Sequence, residues 1–119
     1  MRLPNPFERQ VIPVQYAAGE TIFTEGEPGE VMYLIKEGEV DLRVGERVVE
    51  TVATEGFFGE MALIDQGPRS ATAIARTDCA LLPIDQRLFT YMVQETPFFA
   101  IEMLRVFSAR LRRENQLRC

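Results

Sequence analysis

The chain has 119 residues, a formal net charge of −5 and no histidine. This length suits one domain with a single hydrophobic core. The absence of histidine removes the usual general base and the commonest metal ligand, which argues against a metal-dependent enzyme. Because the 13 cationic residues are scattered until the last turns, we expect no direct binding to nucleic acid.

The first residues show no targeting signal. Prolines at positions 4, 6 and 13 and charged residues at positions 2, 8 and 9 interrupt every apolar run there. No run approaches the ~20 apolar residues that a membrane-spanning helix needs. The two cysteines, Cys79 and Cys119, suggest neither a disulfide framework nor a metal site. We therefore expect a cytoplasmic protein with no membrane contact, no cofactor and no metal.

Most of the chain has the pattern of short strands. Residues 1–10 contain Pro4 and Pro6 and are predicted to form an N-terminal arm. From residue 11, short β-rich segments separated by glycines are typical of an antiparallel sandwich or barrel. The predicted strands cover residues 11–16, 21–23, 31–36, 39–44, 47–53, 70–75 and 80–84, with one further short strand near Phe57.

After Ile84 the apolar period changes from two residues to about four, which indicates helices. Asp85 is a suitable N-cap for a first helix that ends near Glu95. Thr96 and Pro97 form the start signal of a second helix, which extends to about Leu117. This second helix is apolar on more than one side, so one face packs on the barrel and the other needs a ligand, a second subunit or both. Beyond residue 109 it is mostly charged and is expected to be solvated.

The stretch 57–73, FFGEMALIDQGPRSATA, has the composition of a binding site. Gly59 permits a sharp turn or a close approach to a ligand, and the residues after it favour a short helix. The unpaired N–H groups at the start of such a helix favour an anion. Arg69 can offer a two-pronged donor to the oxygens of a phosphodiester. Taken alone, however, Glu60 is equally explained by the helix dipole, and Arg69 by solvation or an ordinary ion pair.

These residues resemble the phosphate-binding cassette of cyclic nucleotide-binding domains, whose pattern is F-G-E-x-A-L-x-x-x-x-P-R-x-A-T. The matching residues are Phe58, Gly59, Glu60, Ala62, Leu63, Pro68, Arg69, Ala71 and Thr72. The resemblance extends over roughly residues 11–117 and implies a mainly β fold with C-terminal helices. That fold is an eight-stranded antiparallel β-roll (jelly roll), a short phosphate-binding helix and two C-terminal helices. The implied domain covers residues 11–119, with the roll at about 11–84 and a helical lid at about 85–117.

The resemblance also implies a role for individual residues. Arg69 would pair with the exocyclic phosphate oxygens and Glu60 would accept the ribose 2′-hydroxyl. The remaining ligand-binding residues, which act mainly through backbone amides, are Phe58, Gly59, Met61, Ala62, Ser70 and Ala71. The last helix would cover the purine, with Glu114 and Asn115 reaching the base, or with Arg112 or Arg113 stacked on it.

The predicted function is a regulatory module that binds a cyclic nucleotide and transmits occupancy to its C-terminal helices. Ser70 follows the cassette arginine and can serve either nucleotide, with cAMP favoured over cGMP. Because no effector domain follows before Cys119, the output partner is expected to be another protein, or the chain is a fragment of a longer one. A homodimer through the last helix is a further expectation.

Two alternatives stay open at this point. The first is a degenerate β-roll that mediates protein interactions and no longer binds nucleotide, although the retained Glu60 and Arg69 argue against it. The second is a small enzyme on the same scaffold. It lacks evident machinery, because the chain has no histidine and no nucleophile beside an evident base.

Overall fold

The computed structural model describes residues 12–64 and 67–118. For Phe107 and residues 113–118 it describes the backbone but not the side chains. The predicted N-terminal arm therefore lies outside the described residues. The strands are β1 (Val14–Tyr16), β2 (Thr21–Phe23), β3 (Met32–Glu37), β4 (Val40–Val44), β5 (Arg47–Val52), β6 (Phe57–Phe58), β7 (Thr72–Ala75) and β8 (Cys79–Ile84). The helices are α1 (Met61–Ile64), α2 (Gln86–Glu95) and α3 (Pro97–Arg118).

The eight strands form two four-stranded sheets. The first has the order β1-β8-β3-β6 and the second has the order β2-β7-β4-β5. Every pair is antiparallel, and strands far apart in the chain lie side by side. The predicted antiparallel β-roll with a short helix and two C-terminal helices is confirmed, with most strand ends shifted by a residue or two and β1 beginning three residues later than predicted.

The inner strands of the first sheet, β8 and β3, are largely buried on both faces, and successive side chains of each strand point to opposite faces. In β3, Met32 and Leu34 pack towards the helices, whereas Ile35 packs into the space between the two sheets. The two residues of β6 divide in the same way, with Phe57 on the helix side and Phe58 between the sheets. This arrangement explains why β8 reads as an almost continuous apolar run.

The second sheet has one solvated face. In the sequence of β4, Val40, Leu42 and Val44 alternate with Asp41 and Arg43, which predicts one buried face. Val40 is fully buried and Leu42 packs against the same core, but Val44 is 47% exposed, so the buried face ends before it. Cys79 is buried at the start of β8, and its thiol lies 3.2 Å from the carbonyl oxygens of Glu39 and Thr77, either of which can accept its proton.

The two C-terminal helices begin where the sequence signals predict. The carboxylate of Asp85 accepts a hydrogen bond of 2.8 Å from the amide of Leu88 and so caps α2. Phe99 and Met103 bury one face of α3 against the first sheet and α2. No helix within the described ranges is long and apolar enough to cross a membrane.

Candidate functional site

Arg69 lies in the loop that precedes β7, and its backbone is tied to the loop between β2 and β3. Its amide donates to the carbonyl of Glu27 at 2.8 Å, and its carbonyl accepts from the amide of Gly26 at 2.8 Å. The side chain turns inward and only 8% of the residue is exposed. The two loops therefore hold a guanidinium inside the roll.

The guanidinium of Arg69 has few partners for a buried charge. Its Nη1 donates to the carbonyl of Gly59 at 3.1 Å, and its Cζ lies 4.0 Å from the centroid of the Phe23 ring. Its Nε is buried without a hydrogen bond, and Arg69 has no salt bridge within the described part of the chain. A buried cation normally pairs with an anion. The arrangement is therefore suited to an anion from outside the chain.

Two glycines make room for this guanidinium. Gly59 has a φ of +78°, and a Cβ there would lie 2.8 Å from Nη1 of Arg69. At Gly29 a Cβ would overlap Nε and Cζ of Arg69 and lie 2.9 Å from its Cδ. Both positions require the absence of a side chain, although only Gly59 also requires a left-handed backbone.

Gly29→Ala should therefore weaken anion binding without removing the arginine. The added methyl group displaces the guanidinium, so the charged hydrogen bonds that it offers are lost, at about 1.5–3 kcal/mol. The measurement is calorimetric titration with a cyclic nucleotide, the ligand that the cassette resemblance implies. Gly45→Ala is the control, because a Cβ at that β4–β5 turn would meet nothing within 4 Å, although its φ of +62° means that this variant also loses some stability. Equal affinity in wild type and Gly29→Ala would show that the observed arginine position is not needed.

Glu60 lies directly before α1 and is 6% exposed. Its carbonyl accepts the amides of Leu63 at 3.0 Å and Ile64 at 3.3 Å, so its backbone starts the short helix. Its Oε1 accepts a hydrogen bond from Nη1 of Arg110, which comes from α3. Glu60 is thus a buried carboxylate compensated by a residue fifty positions along the chain.

Arg110 connects α3 to three points of the roll. Besides Glu60, it bonds both carboxylate oxygens of Glu50 on β5, from Nε at 2.9 Å and from Nη2 at 3.1 Å. Nη2 also donates to the carbonyl of Phe57 at 2.8 Å. Its Cζ lies 5.2 Å from the centroid of the Phe57 ring. One guanidinium therefore organises two carboxylates beside the cassette.

The pKa values of the two buried arginines shift in opposite directions. Burial lowers the pKa of Arg69 from its ordinary value, and the nearby Tyr33 and Glu27 only partly oppose this. Burial also acts to lower the pKa of Arg110, but hydrogen bonds and charges from Glu50 and Glu60 outweigh it and raise the pKa. The opposite directions distinguish Arg110, whose charge is compensated by two carboxylates, from Arg69, for which the effect of burial dominates.

The comparison with known families identifies the domain. The family model described as "Cyclic nucleotide-binding domain" matches residues 13–96, which is more than half of the 119 residues. The chain belongs to the cyclic nucleotide-binding domain family. The resemblance seen in the cassette is thereby confirmed over residues 13–96.

The proteins similar to this cyclic nucleotide-binding domain include two regulators. The CRP-like cAMP-activated global transcriptional regulator of Mycobacterium tuberculosis is 32% identical over 114 residues, covering 90% of this chain and 50% of the relative. The cAMP-dependent protein kinase regulatory subunit of Aspergillus niger is 41% identical over 81 residues, covering 62% and 20%. The crystal structure of the Thermus thermophilus catabolite activator protein superposes with a TM-score of 0.81 at 27% identity, covering 94% of this chain and 55% of that one. The domain spans half or less of the length of the two curated relatives.

The structure brings together only some of the residues that the sequence predicts for the cyclic nucleotide site. Gly59 and Arg69 meet through a hydrogen bond, Glu60 follows Gly59 in the chain with its carboxylate bonded to Arg110, and Ala62 is buried in α1. Phe58 is fully buried between the sheets, where its ring lies 5.4 Å from that of Tyr33, so its side chain belongs to the core. The side chains of Met61 and Ser70 are exposed and Ala71 is half-buried, which leaves these three residues their backbone groups as the predicted contacts.

The predicted lid of the cyclic nucleotide-binding domain needs one correction. Arg112 is exposed, and the side chains of Arg113, Glu114 and Asn115 lie outside the described residues. The expectation that the charged end of α3 is solvated beyond residue 109 holds for the exposed Leu111 and Arg112 but is wrong at Arg110, whose side chain is only 18% exposed and forms hydrogen bonds inside the domain. A helical period continued from the packed residues would have found it, since Phe99, Met103, Val106 and Arg110 follow at steps of three and four.

Proposed function

We propose that this domain binds a cyclic nucleotide, cAMP in preference to cGMP, and couples its binding to movement of the C-terminal helices. The chemistry is binding without turnover. Membership of the family supports the ligand class. The cAMP-related names of the Mycobacterium and Aspergillus relatives support the preference for cAMP, since Ser70 by itself suits either nucleotide.

The observation that carries the proposal is the buried guanidinium of Arg69, which has no ion-pair partner among the described residues. A cyclic phosphodiester bears one negative charge on two exocyclic oxygens, which match the paired donors of an arginine. Before any ligand arrives, the ring of Phe23 and the carbonyl of Gly59 contact this guanidinium, and Gly29 leaves room for it. In the proposal, Arg69 binds the phosphate and the backbone amides around α1 and residues 70–71 add neutral donors.

The second half of the proposed site is the carboxylate of Glu60. One oxygen is taken by Arg110, and Oε2 makes no hydrogen bond within the described residues. The free oxygen can accept the ribose 2′-hydroxyl. Because Arg110 belongs to α3, a ligand at Glu60 acts on a group that holds the last helix on the roll. A preference of the nucleotide for one arrangement of this cluster would shift the position of α3.

Glu60→Ala tests the ribose half of the site. We expect cAMP to bind more weakly by about 1.5–3 kcal/mol, the range for a hydrogen bond to a charged group. The loss should nearly vanish for 2′-deoxy-cAMP, which has no hydroxyl at that position. Both affinities are measured by calorimetric titration, with circular dichroism as the check on folding. Equal losses for the two nucleotides would remove Glu60 from the ribose contact.

Thermal unfolding with and without ligand tests the proposed function as a whole. A ligand that binds only the folded protein adds about 2.7 kcal/mol of stability at a hundred times its dissociation constant. We expect cAMP to raise the melting temperature, cGMP to raise it less, and AMP to have little effect at equal concentration. A folded protein stabilised by none of them would instead favour a β-roll that acts as a protein-interaction module.

The receiver of the signal is proposed to be a protein effector, a further domain or a second copy of the chain. Phe98, Ile101, Leu104 and Leu111 of α3 are exposed, which leaves an apolar face on the helix that Arg110 fastens to the roll. An exposed apolar face of this kind is suited to a protein partner. Light scattering with and without cAMP would show whether a homodimer forms through this helix.

A further inference from the structure

Glu50 is an inward-facing acid in β5. It pairs with Leu42 in the strand register, and the buried Val52 pairs with Val40, so Glu50 faces the interior between the sheets. An irregularity in the ladder follows directly, between Leu42 and Arg43, and leaves Val48 exposed on the other side. The Glu50 side chain is 19% exposed. A largely buried carboxylate needs a cationic partner, and here that partner is Arg110.

The contact between Glu50 and Arg110 determines the orientation of the guanidinium as well as its position. Glu50 engages one edge of the guanidinium, with Nε on Oε1 at 2.9 Å and Nη2 on Oε2 at 3.1 Å. The guanidinium is planar and rigid, so two bonds along one edge determine where the third nitrogen lies. That third nitrogen, Nη1, is the donor to Oε1 of Glu60. The orientation of the Glu60 carboxylate therefore depends on Glu50.

We propose that Glu50 is a positioning residue for nucleotide recognition: through Arg110 it holds the Glu60 carboxylate with Oε2 turned to the ribose. This inference rests on the proposed function of Glu60. Glu50 itself need not touch the ligand. Its bidentate bond gives Arg110 one orientation, and Nη1 then occupies Oε1 of Glu60, which leaves Oε2 for the incoming ribose hydroxyl.

The test is the ratio of dissociation constants for 2′-deoxy-cAMP and cAMP in three proteins. In wild type we expect a ratio of at least about 10, corresponding to one charged hydrogen bond. Glu50→Gln keeps the side-chain volume but weakens the bidentate pair, and we expect it to lower this ratio at least about threefold. Glu46→Gln is the matched control, since Glu46 is exposed in the turn of the same hairpin and undergoes the same change of charge. We expect it to keep the wild-type ratio.

The ratio separates positioning from general effects. Loss of a negative charge changes the attraction for both nucleotides equally, and so does partial unfolding, which leaves the ratio unchanged. In an Arg110→Gln background, Glu50→Gln should not change the ratio further, because Glu50 acts on Glu60 only through Arg110. If Glu50→Gln does not fold, Glu50→Asp keeps the charge but is one methylene too short for both bonds, and it should lower the ratio as well.

An unchanged ratio in Glu50→Gln, together with cAMP binding that Arg69→Ala abolishes, would overturn this inference and leave the proposed function intact. An equal fall in the ratio with and without Arg110 would overturn it too, since Glu50 would then act by another route. A folded wild-type protein that binds neither nucleotide would overturn the proposed function and this inference together.

Discussion

Arg69→Ala should weaken cAMP binding by about 2–5 kcal/mol, which is roughly thirty-fold to several-thousand-fold in affinity. The guanidinium is the buried cation aimed into the cassette, and without it the phosphate charge is poorly compensated. The stability of the unliganded protein should change little by comparison, because Arg69 has no salt bridge to lose within the described residues. Calorimetric titration measures the first effect and denaturant unfolding the second.

Arg76→Ala is the matched control for Arg69→Ala. Arg76 is exposed, directly follows β7 and carries the same charge, so its loss changes the net charge without touching the cassette. We expect less than a twofold change in affinity, as is usual for a screened surface charge. A folded Arg69→Ala protein that binds cAMP as tightly as wild type would contradict the assignment of the phosphate site.

Arg110→Ala should have the larger effect on stability. Its loss leaves Glu60 buried without a cation and leaves Glu50 without its bidentate partner. Breaking a buried pair by removing one member costs about 3–5 kcal/mol. Since the Arg110 side chain is 18% exposed, we expect the lower end, about 3 kcal/mol, in the free energy of unfolding from denaturant titration.

Arg105→Ala serves as the comparison on the same helix. Arg105 pairs with Glu102 at 3.2 Å, but the two side chains are 70% and 45% exposed. An exposed pair of this spacing contributes about 0.2–0.5 kcal/mol, so the variant should be nearly as stable as wild type. If Arg110→Ala cost no more than Arg105→Ala, the cluster of Arg110, Glu50 and Glu60 would not hold α3 to the roll in solution.

The part of this fold that the sequence predicts best is the part with strictly local signals. The strands are indicated by alternating apolar and polar side chains. The starts of the two C-terminal helices are indicated by Asp85 and by Thr96 with Pro97. The cassette is equally local, because Gly59, Glu60 and Arg69 fall within eleven consecutive residues. Because these residues have a fixed type and spacing on one short segment, they can be identified without knowledge of the tertiary structure.

Contacts between distant segments were harder to predict. Glu50 and Arg110 are 60 positions apart, and their pairing depends on which way α3 leaves Pro97 and on the irregular ladder between β4 and β5. Arg110 is one of several arginines in a charged segment, so residue type alone does not identify it as the one that is buried. The role of Gly29 was also hard to predict, because it depends on contact between the β2–β3 loop and the loop before β7. Its lack of a side chain matters only because the Arg69 side chain packs against it.

The most direct test of the proposed function is calorimetric titration of the purified protein with cAMP and cGMP. The protein should first be denatured and refolded, because nucleotide carried from the cell would occupy the site. We expect one cAMP per chain and weaker binding of cGMP. A refolded protein that shows the expected circular dichroism and cooperative unfolding, yet binds neither nucleotide, would contradict the account.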